Sequence, residues 1–104
     1  MQAKIVLVTA PSGEKSYAMA AELVSSGLAA CVNIIPSITS IYTWQGKVET
    51  EQEVLLVIKT LASHLAELEV NVLALLPYDT PEFIVIDPAN VNEKYLAWLT
   101  KAVK

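Results

Sequence analysis

A chain of 104 residues has room for one domain, and its apolar share of 54 % is high for a soluble domain of that size, so more than one buried surface is expected. The net charge is -4, and the seven basic residues are scattered lysines with no arginine. That composition excludes a basic nucleic-acid face and any arginine clamp for phosphate or carboxylate.

Residues 4–9 are a short β-branched run and read as a strand, which Pro11-Ser12-Gly13 ends. A helix over 13–26 follows, with Ser12 able to cap it and Glu14 in its first turn. Tyr17, Ala20, Ala21, Val24 and Leu28 recur at helical spacing, and Gly27 is a left-handed stop. Residues 29–44 read as a strand interrupted at Pro36, where the facing shifts. Before the proline Cys31, Asn33 and Ile35 share a face; after it Ile38, Ser40, Tyr42 and Trp44 do. Gln45-Gly46-Lys47 is a tight hairpin turn, and 48–60 is the return strand. Its first half alternates Glu49, Glu51 and Glu53 with Val48, Thr50 and Gln52, so it is half solvated. Leu55 to Ile58 is apolar on both faces and reads as buried. A helix over 61–76 carries the stripe Leu61, Leu65, Leu68, Val72 and Leu75, and Pro77 ends it. Residues 83–86 are a short buried strand, and Asp87-Pro88 turns the chain. Asn90 and Glu93 form a capping box for a last amphipathic helix through Tyr95, Leu96, Trp98, Leu99 and Ala102.

The order β-α-β-β-α-β-α makes residues 1–104 one α+β domain. The first six elements match the ferredoxin-like βαββαβ arrangement, an antiparallel sheet with two helices on one face. The central hairpin strands run to roughly 13 to 16 residues, on the order of 45 to 50 Å. A domain of this size has a radius of gyration of only about 13 Å. The hairpin therefore overhangs its own domain, and pairing the overhang with another copy would cover its edges. A closed homo-oligomer is expected.

Cys31 is the one cysteine, which excludes an intrachain disulfide and suits a reducing compartment. No signal peptide is visible, and no apolar stretch approaches the roughly 20 residues that span a bilayer. The expected compartment is the cytoplasm, with neither membrane nor nucleic acid as partner.

Candidate site residues are few. Cys31 could bind a soft metal as thiolate; the plainer alternative is a small buried hydrophobe. His64, the single histidine, sits near a helix start and reads as uninvolved. No His/Cys pair has zinc-ligand spacing within one chain. Tyr78 and Glu82 flank the Asp79-Thr80-Pro81 turn, with Glu82 as an ion ligand and Tyr78 as a pocket wall, or else with Glu82 simply paired to Lys59. Tyr78, Lys59 and Trp44 are the candidate walls of a ligand pocket, although Tyr42 and Trp44 also suit interface packing. Glu49, Glu51 and Glu53 are a cation-attracting face or solubilising edge charges. An enzyme is not expected: the chain has three glycines, no phosphate loop and no nucleophile-His-acid set.

Five segments in register carry a resemblance: Ala30-Cys31-Val32-Asn33-Ile34; Thr39 through Tyr42-Thr43-Trp44-Gln45-Gly46-Lys47; Glu53 through Ile58-Lys59-Thr60; Pro77-Tyr78-Asp79-Thr80-Pro81-Glu82; and Asn92-Glu93-Lys94-Tyr95-Leu96-Ala97-Trp98. Together they resemble the CutA family of divalent-cation tolerance proteins. The resemblance implies a ferredoxin-like homotrimer, similar to the PII nitrogen regulators, with a role in tolerance of copper and other divalent cations. It would make copper or another divalent cation a weakly held ligand, through Cys31 and Glu82. The family pattern carries a histidine just before Pro77-Tyr78; here that position is Leu76, which has no lone pair for a metal. A PII-like sensor of a small metabolite, and an interaction trimer without a ligand, are the alternative functions.

Overall fold

The computed structural model describes residues 2–104. The elements are β1 (Ala3–Pro11), α1 (Glu14–Ser25), β2 (Cys31–Trp44), β3 (Lys47–Leu61), a single 3-10 turn (Ala62–His64), α2 (Leu65–Leu75), β4 (Ile84–Ile86) and α3 (Glu93–Ala102). The strands form one antiparallel sheet in the order β2-β3-β1-β4. This is the expected ferredoxin-like α+β arrangement with a helix added at the end.

The period of two in β1 and β3 decides what lies inside. Val6, Val8 and Ala10 pair with Ile58, Leu56 and Val54, and all six are buried. Met19, Ala20 and Leu23 of α1 and Leu68 and Val72 of α2 are likewise buried, and most of them join those strand residues in one cluster. A second cluster, Ala30, Leu61, Leu99 and Val103, holds α3 to the end of the sheet. The other sheet face has no helix over its middle, α3 packing on it only at the Ala3 and Leu61 end. Its row comprises Ile5, Leu7, Leu55 and Val57, all half-buried, with Ile35 45 %, Ile84 50 % and Ile86 40 % exposed.

Several boundaries differ from expectation. Ser12 does not cap α1: Gly13 holds the N-cap position, without a side-chain bond, and Ser16 donates to the Pro11 carbonyl instead. The helix over 61–76 is shorter, because Leu61 still pairs with Ala3 and is buried against Leu99 and Val103, so the strand persists to that point. The strand expected over 83–86 spans Ile84–Ile86 and is exposed rather than buried. It is an edge strand, and Ile84 and Ile86 stand opposite Leu7 and Ile5 on the helix-free face. Asn92, not Asn90, caps α3: its Oδ1 accepts from the backbone N–H of Lys94 at 3.0 Å and of Tyr95 at 3.1 Å. Glu93 then falls at the first helical position, too early for a capping box.

Other signals hold. At Gly27, φ is +80°, and Leu28 N–H bonds Leu23 O while Gly27 N–H bonds Val24 O, a Schellman closure. Gln45 and Gly46 both have positive φ, 50° and 79°, and make a two-residue turn between paired Trp44 and Lys47. Near Pro36 the register jumps from Ile35↔Leu55 to Ile38↔Glu53, one extra residue on β2, with Ser37 at φ 58°. The bulge keeps Cys31, Asn33, Ile35, Ile38, Ser40, Tyr42 and Trp44 in one row, opposite the odd-numbered residues of β3. The hairpin gives the molecule extents of 45 × 27 × 23 Å.

Candidate functional site

The hairpin overhang and the segment after α2 together make a cleft. Along the helix-free face Ile38, Ser40 and Tyr42 stand opposite Glu53, Glu51 and Glu49. Leu76 leaves α2 in extended conformation, as a residue before proline must, and is buried in the core. The chain then runs without helix or strand to β4 and carries Tyr78 over the base of the hairpin. The Tyr78 hydroxyl donates to Glu53 Oε2 at 2.6 Å. That cover leaves Glu53 only 6 % exposed, while Glu51, two residues before it, stays exposed.

The cleft has a volume of about 760 Å³. Glu49, Glu51, Glu53, Asp79 and Glu82 put five carboxylates on its lining, and Tyr42, Trp44 and Tyr78 supply aromatic walls. Among the described residues no lysine or histidine lines it. Burial pushes the Glu82 carboxyl above its usual range, and the charge of Glu53 adds to the effect. Burial, then the hydrogen bond to Glu53, holds the Tyr78 phenol well above its ordinary value. For Tyr42 the hydrogen bond to Glu51 comes first among the causes of an upward shift. Negative charge therefore accumulates here without an internal counter-charge, which is an arrangement that attracts cations.

Of the expected pocket walls, Tyr78 and Trp44 lie in the cleft and Lys59 does not. Lys59 stands across from Cys31 and bonds the Asn33 side-chain oxygen, which is also 3.8 Å from the Cys31 sulfur. Six positions of β3 separate Lys59 from Glu53, roughly 20 Å of strand. Cys31, beside Lys59, and Glu82, beside Glu53, accordingly stand well apart along the sheet, and one chain does not bring them to one metal ion. The expected alternative pairing of Glu82 with Lys59 is also absent; the ion pair found among the described residues joins Lys4 and Asp87 at 2.5 Å. Among the described residues no group of three or more His, Cys, Asp or Glu side chains converges to hold a metal. His64 is engaged by the Ser63 hydroxyl at 2.9 Å and by the Lys104 carbonyl.

By strand period alone Glu53 is one of three equivalent edge charges with Glu49 and Glu51. The signal that separates it is the Pro77-Tyr78 segment, whose path across the hairpin becomes visible only once α2 is in place.

The profile of the CutA1 divalent ion tolerance protein family matches residues 4–102. A Thermus thermophilus relative, called divalent-cation tolerance protein CutA, is 47 % identical over 96 residues, covering 92 % of this chain and 93 % of its own length. A rice relative, called Protein CutA 1, chloroplastic, is 45 % identical over 100 residues, and the chain spans 96 % of itself and 56 % of that protein. The crystal structure of CutA1 from Oryza sativa superposes with a TM-score of 0.95 at 43 % identity, covering 100 % of this chain and 95 % of that one.

Proposed function

The chain belongs to the CutA1 divalent ion tolerance family, and from that membership we propose that it serves tolerance of divalent cations as a homotrimer that captures cations and catalyses no reaction. The observation that carries the cation reading is the cleft: five carboxylates and no base on its lining among the described residues. Divalent ions are the cargo in this proposal. They would be held weakly, by charge attraction, because no three ligands converge among the described residues of one chain. Copper through Cys31 and Glu82 together does not fit one chain. Copper at Cys31 would need further ligands from neighbouring copies, with Lys59 standing directly across the sheet.

The homotrimer rests on the helix-free sheet face. Ile84, Ile86 and Ile35 expose 50 %, 40 % and 45 % of their surface beside Ile5, Leu7 and Val57, and apolar surface of that extent calls for a cover. The number three and the likeness to PII regulators come with the family. The single thiol suits a reducing cytosol, our assignment of compartment, although the rice relative is called chloroplastic. Among the described residues no helix is long and apolar enough to cross a membrane.

The cleft's volume also lies within the range of small-ligand sites, which favours metabolite sensing as a second reading. Native mass spectrometry tests both parts: the expected result is a trimer that takes up Mg2+, Cu2+ or Zn2+ and loses uptake in Glu82→Gln. A monomer, or a trimer that stays free of ions, would count against the respective part.

A further inference from the structure

We propose that copies of this chain meet head to tail across the helix-free face, so that Lys59 of the partner subunit faces Glu53 and Glu82 at the base of the cleft. This rests on reading that face as the contact between copies, and it adds the direction of the contact and its residues. The order of charges along β3 carries it. The even-numbered residues of the body point to the core, so the odd-numbered ones share the helix-free face. After Lys47 at the turn they run Glu49, Glu51, Glu53, then Leu55 and Val57, then Lys59. The face therefore has an acidic end, an apolar middle and a basic end. Six positions separate Glu53 from Lys59, roughly 20 Å of strand, so the two ends do not meet within one copy.

Each end lacks what the other has. The Glu53 carboxylate is buried with a neutral phenol as its hydrogen-bond donor, and among the described residues no base shares its cleft. Lys59 donates to the Asn33 side-chain oxygen, and among the described residues no carboxylate pairs with it. It is the one lysine that the strands of the body place on this face, since Lys4 lies on the helix-bearing side and is paired with Asp87. Aromatic surface repeats the pattern. Tyr42, Trp44 and Tyr78 wall the cleft, while Tyr95 and Trp98 of α3 are 39 % and 48 % exposed, with their rings 5.4 Å apart. α3 is fixed at the Ala3 and Leu61 end. Burial first, then the nearby Cys31, raises the Tyr95 phenol, which places that ring beside the Lys59 end. A head-to-tail contact sets ammonium against carboxylate and aromatic against aromatic, and it covers the apolar middle. Acidic end against acidic end would set like charges together. Three copies close a ring when each gives its Lys59 end to one neighbour and its cleft to the other. One ammonium against five carboxylates leaves the cleft acidic, so it still attracts cations.

The test is native mass spectrometry of the full chain over a range of protomer concentrations, with circular dichroism as the check on folding. The parent chain is expected as a trimer. Lys59→Glu and Glu82→Lys should each raise the concentration at half assembly by at least about tenfold. The double reversal Lys59→Glu/Glu82→Lys should bring it back to within about threefold of the parent. Lys15→Glu, exposed on α1, changes the net charge as Lys59→Glu does and should leave assembly unchanged. A monomeric parent would overturn the copy-contact reading and this inference together. A trimer unmoved by both single variants would overturn the inference alone, as would a double variant no better than the singles. An effect of Lys15→Glu equal to that of Lys59→Glu would reduce the result to net charge and also overturn it. Should a reversed variant fail to fold, Lys59→Gln, Glu82→Gln and their combination take its place. A combined effect smaller than the sum of the two supports the pairing, and simple addition overturns it.

Discussion

The two halves of β3 belong to one strand and obey one register, yet they live in different worlds. From Val54 to Thr60 every even-numbered side chain is buried between β1 and the helices. From Lys47 to Gln52 no residue is buried, and Val48 is 73 % exposed. β2 accompanies both halves, while β1 pairs only from Glu53 onward. A strand's backbone pairing is therefore a poor guide to its worth. What sits above and beside it decides whether a side chain supports the fold or is free to serve a surface.

Substitutions can sharpen that contrast. In the body, Ile58→Ala should cost about 2–5 kcal/mol, because it empties a fully buried site with little room to collapse. Urea unfolding would report it, and a cost below about 1 kcal/mol would mean the body is not the stabilising half. At the junction, Tyr78→Phe strips a buried carboxylate of its hydrogen bond and should cost about 1–3 kcal/mol. On the helix-free face, Ile86→Asp should leave the fold intact and shift native mass spectra from the proposed trimer to monomer. An unchanged assembly would place the subunit contact elsewhere. In the overhang, Val48→Ala should stay within about 0.5 kcal/mol.

The cleft between the halves adds a dependence on pH. The folded-state pKa of Glu82 is raised above its ordinary 4.5. Its neutral form is favoured on folding, so its contribution is fully present below the ordinary value and is lost as pH rises through the raised one. Urea midpoints measured from pH 4 to pH 8 should fall with rising pH in the parent chain, and less so in Glu82→Gln. Parallel curves would remove Glu82 as the cause.

Much of the body was legible in the sequence. The β-branched strand in 4–9, the return strand over 48–60, the stop at Gly27, the Gln45-Gly46 turn and the break near Pro36 each follow from local chemistry that the structure keeps, while Leu55 and Val57, expected to be buried with Leu56 and Ile58, are only half-buried. The strand at Ile84–Ile86 is exposed although its sequence is apolar, because an apolar run says that burial is sought, not where the cover comes from. Asn90 and Asn92 both precede Glu93 closely, and only the helix start chooses between them. In the cleft, Trp44, Tyr78 and Glu82 could be named from their segments. Glu53 could not be told from Glu49 and Glu51, since strand period treats the three alike and a distant segment covers one. Lys59 went the other way: it sits on the same row as Glu53, but the register places it far along the strand.

The bulge beside Ser37 has a consequence that concerns counting rather than chemistry. With regular pairing, nine steps from Ile35 would turn Trp44 to the side of the sheet that bears the helices, and Tyr42 with it. One surplus residue resets the phase, so the cleft's walls owe their side of the sheet to a length and not to any side chain. Ser37 itself, at φ 58°, should accept glycine or asparagine readily. A residue added elsewhere between Ile38 and Trp44 would transplant the aromatic walls to the opposite side without altering a single letter of them.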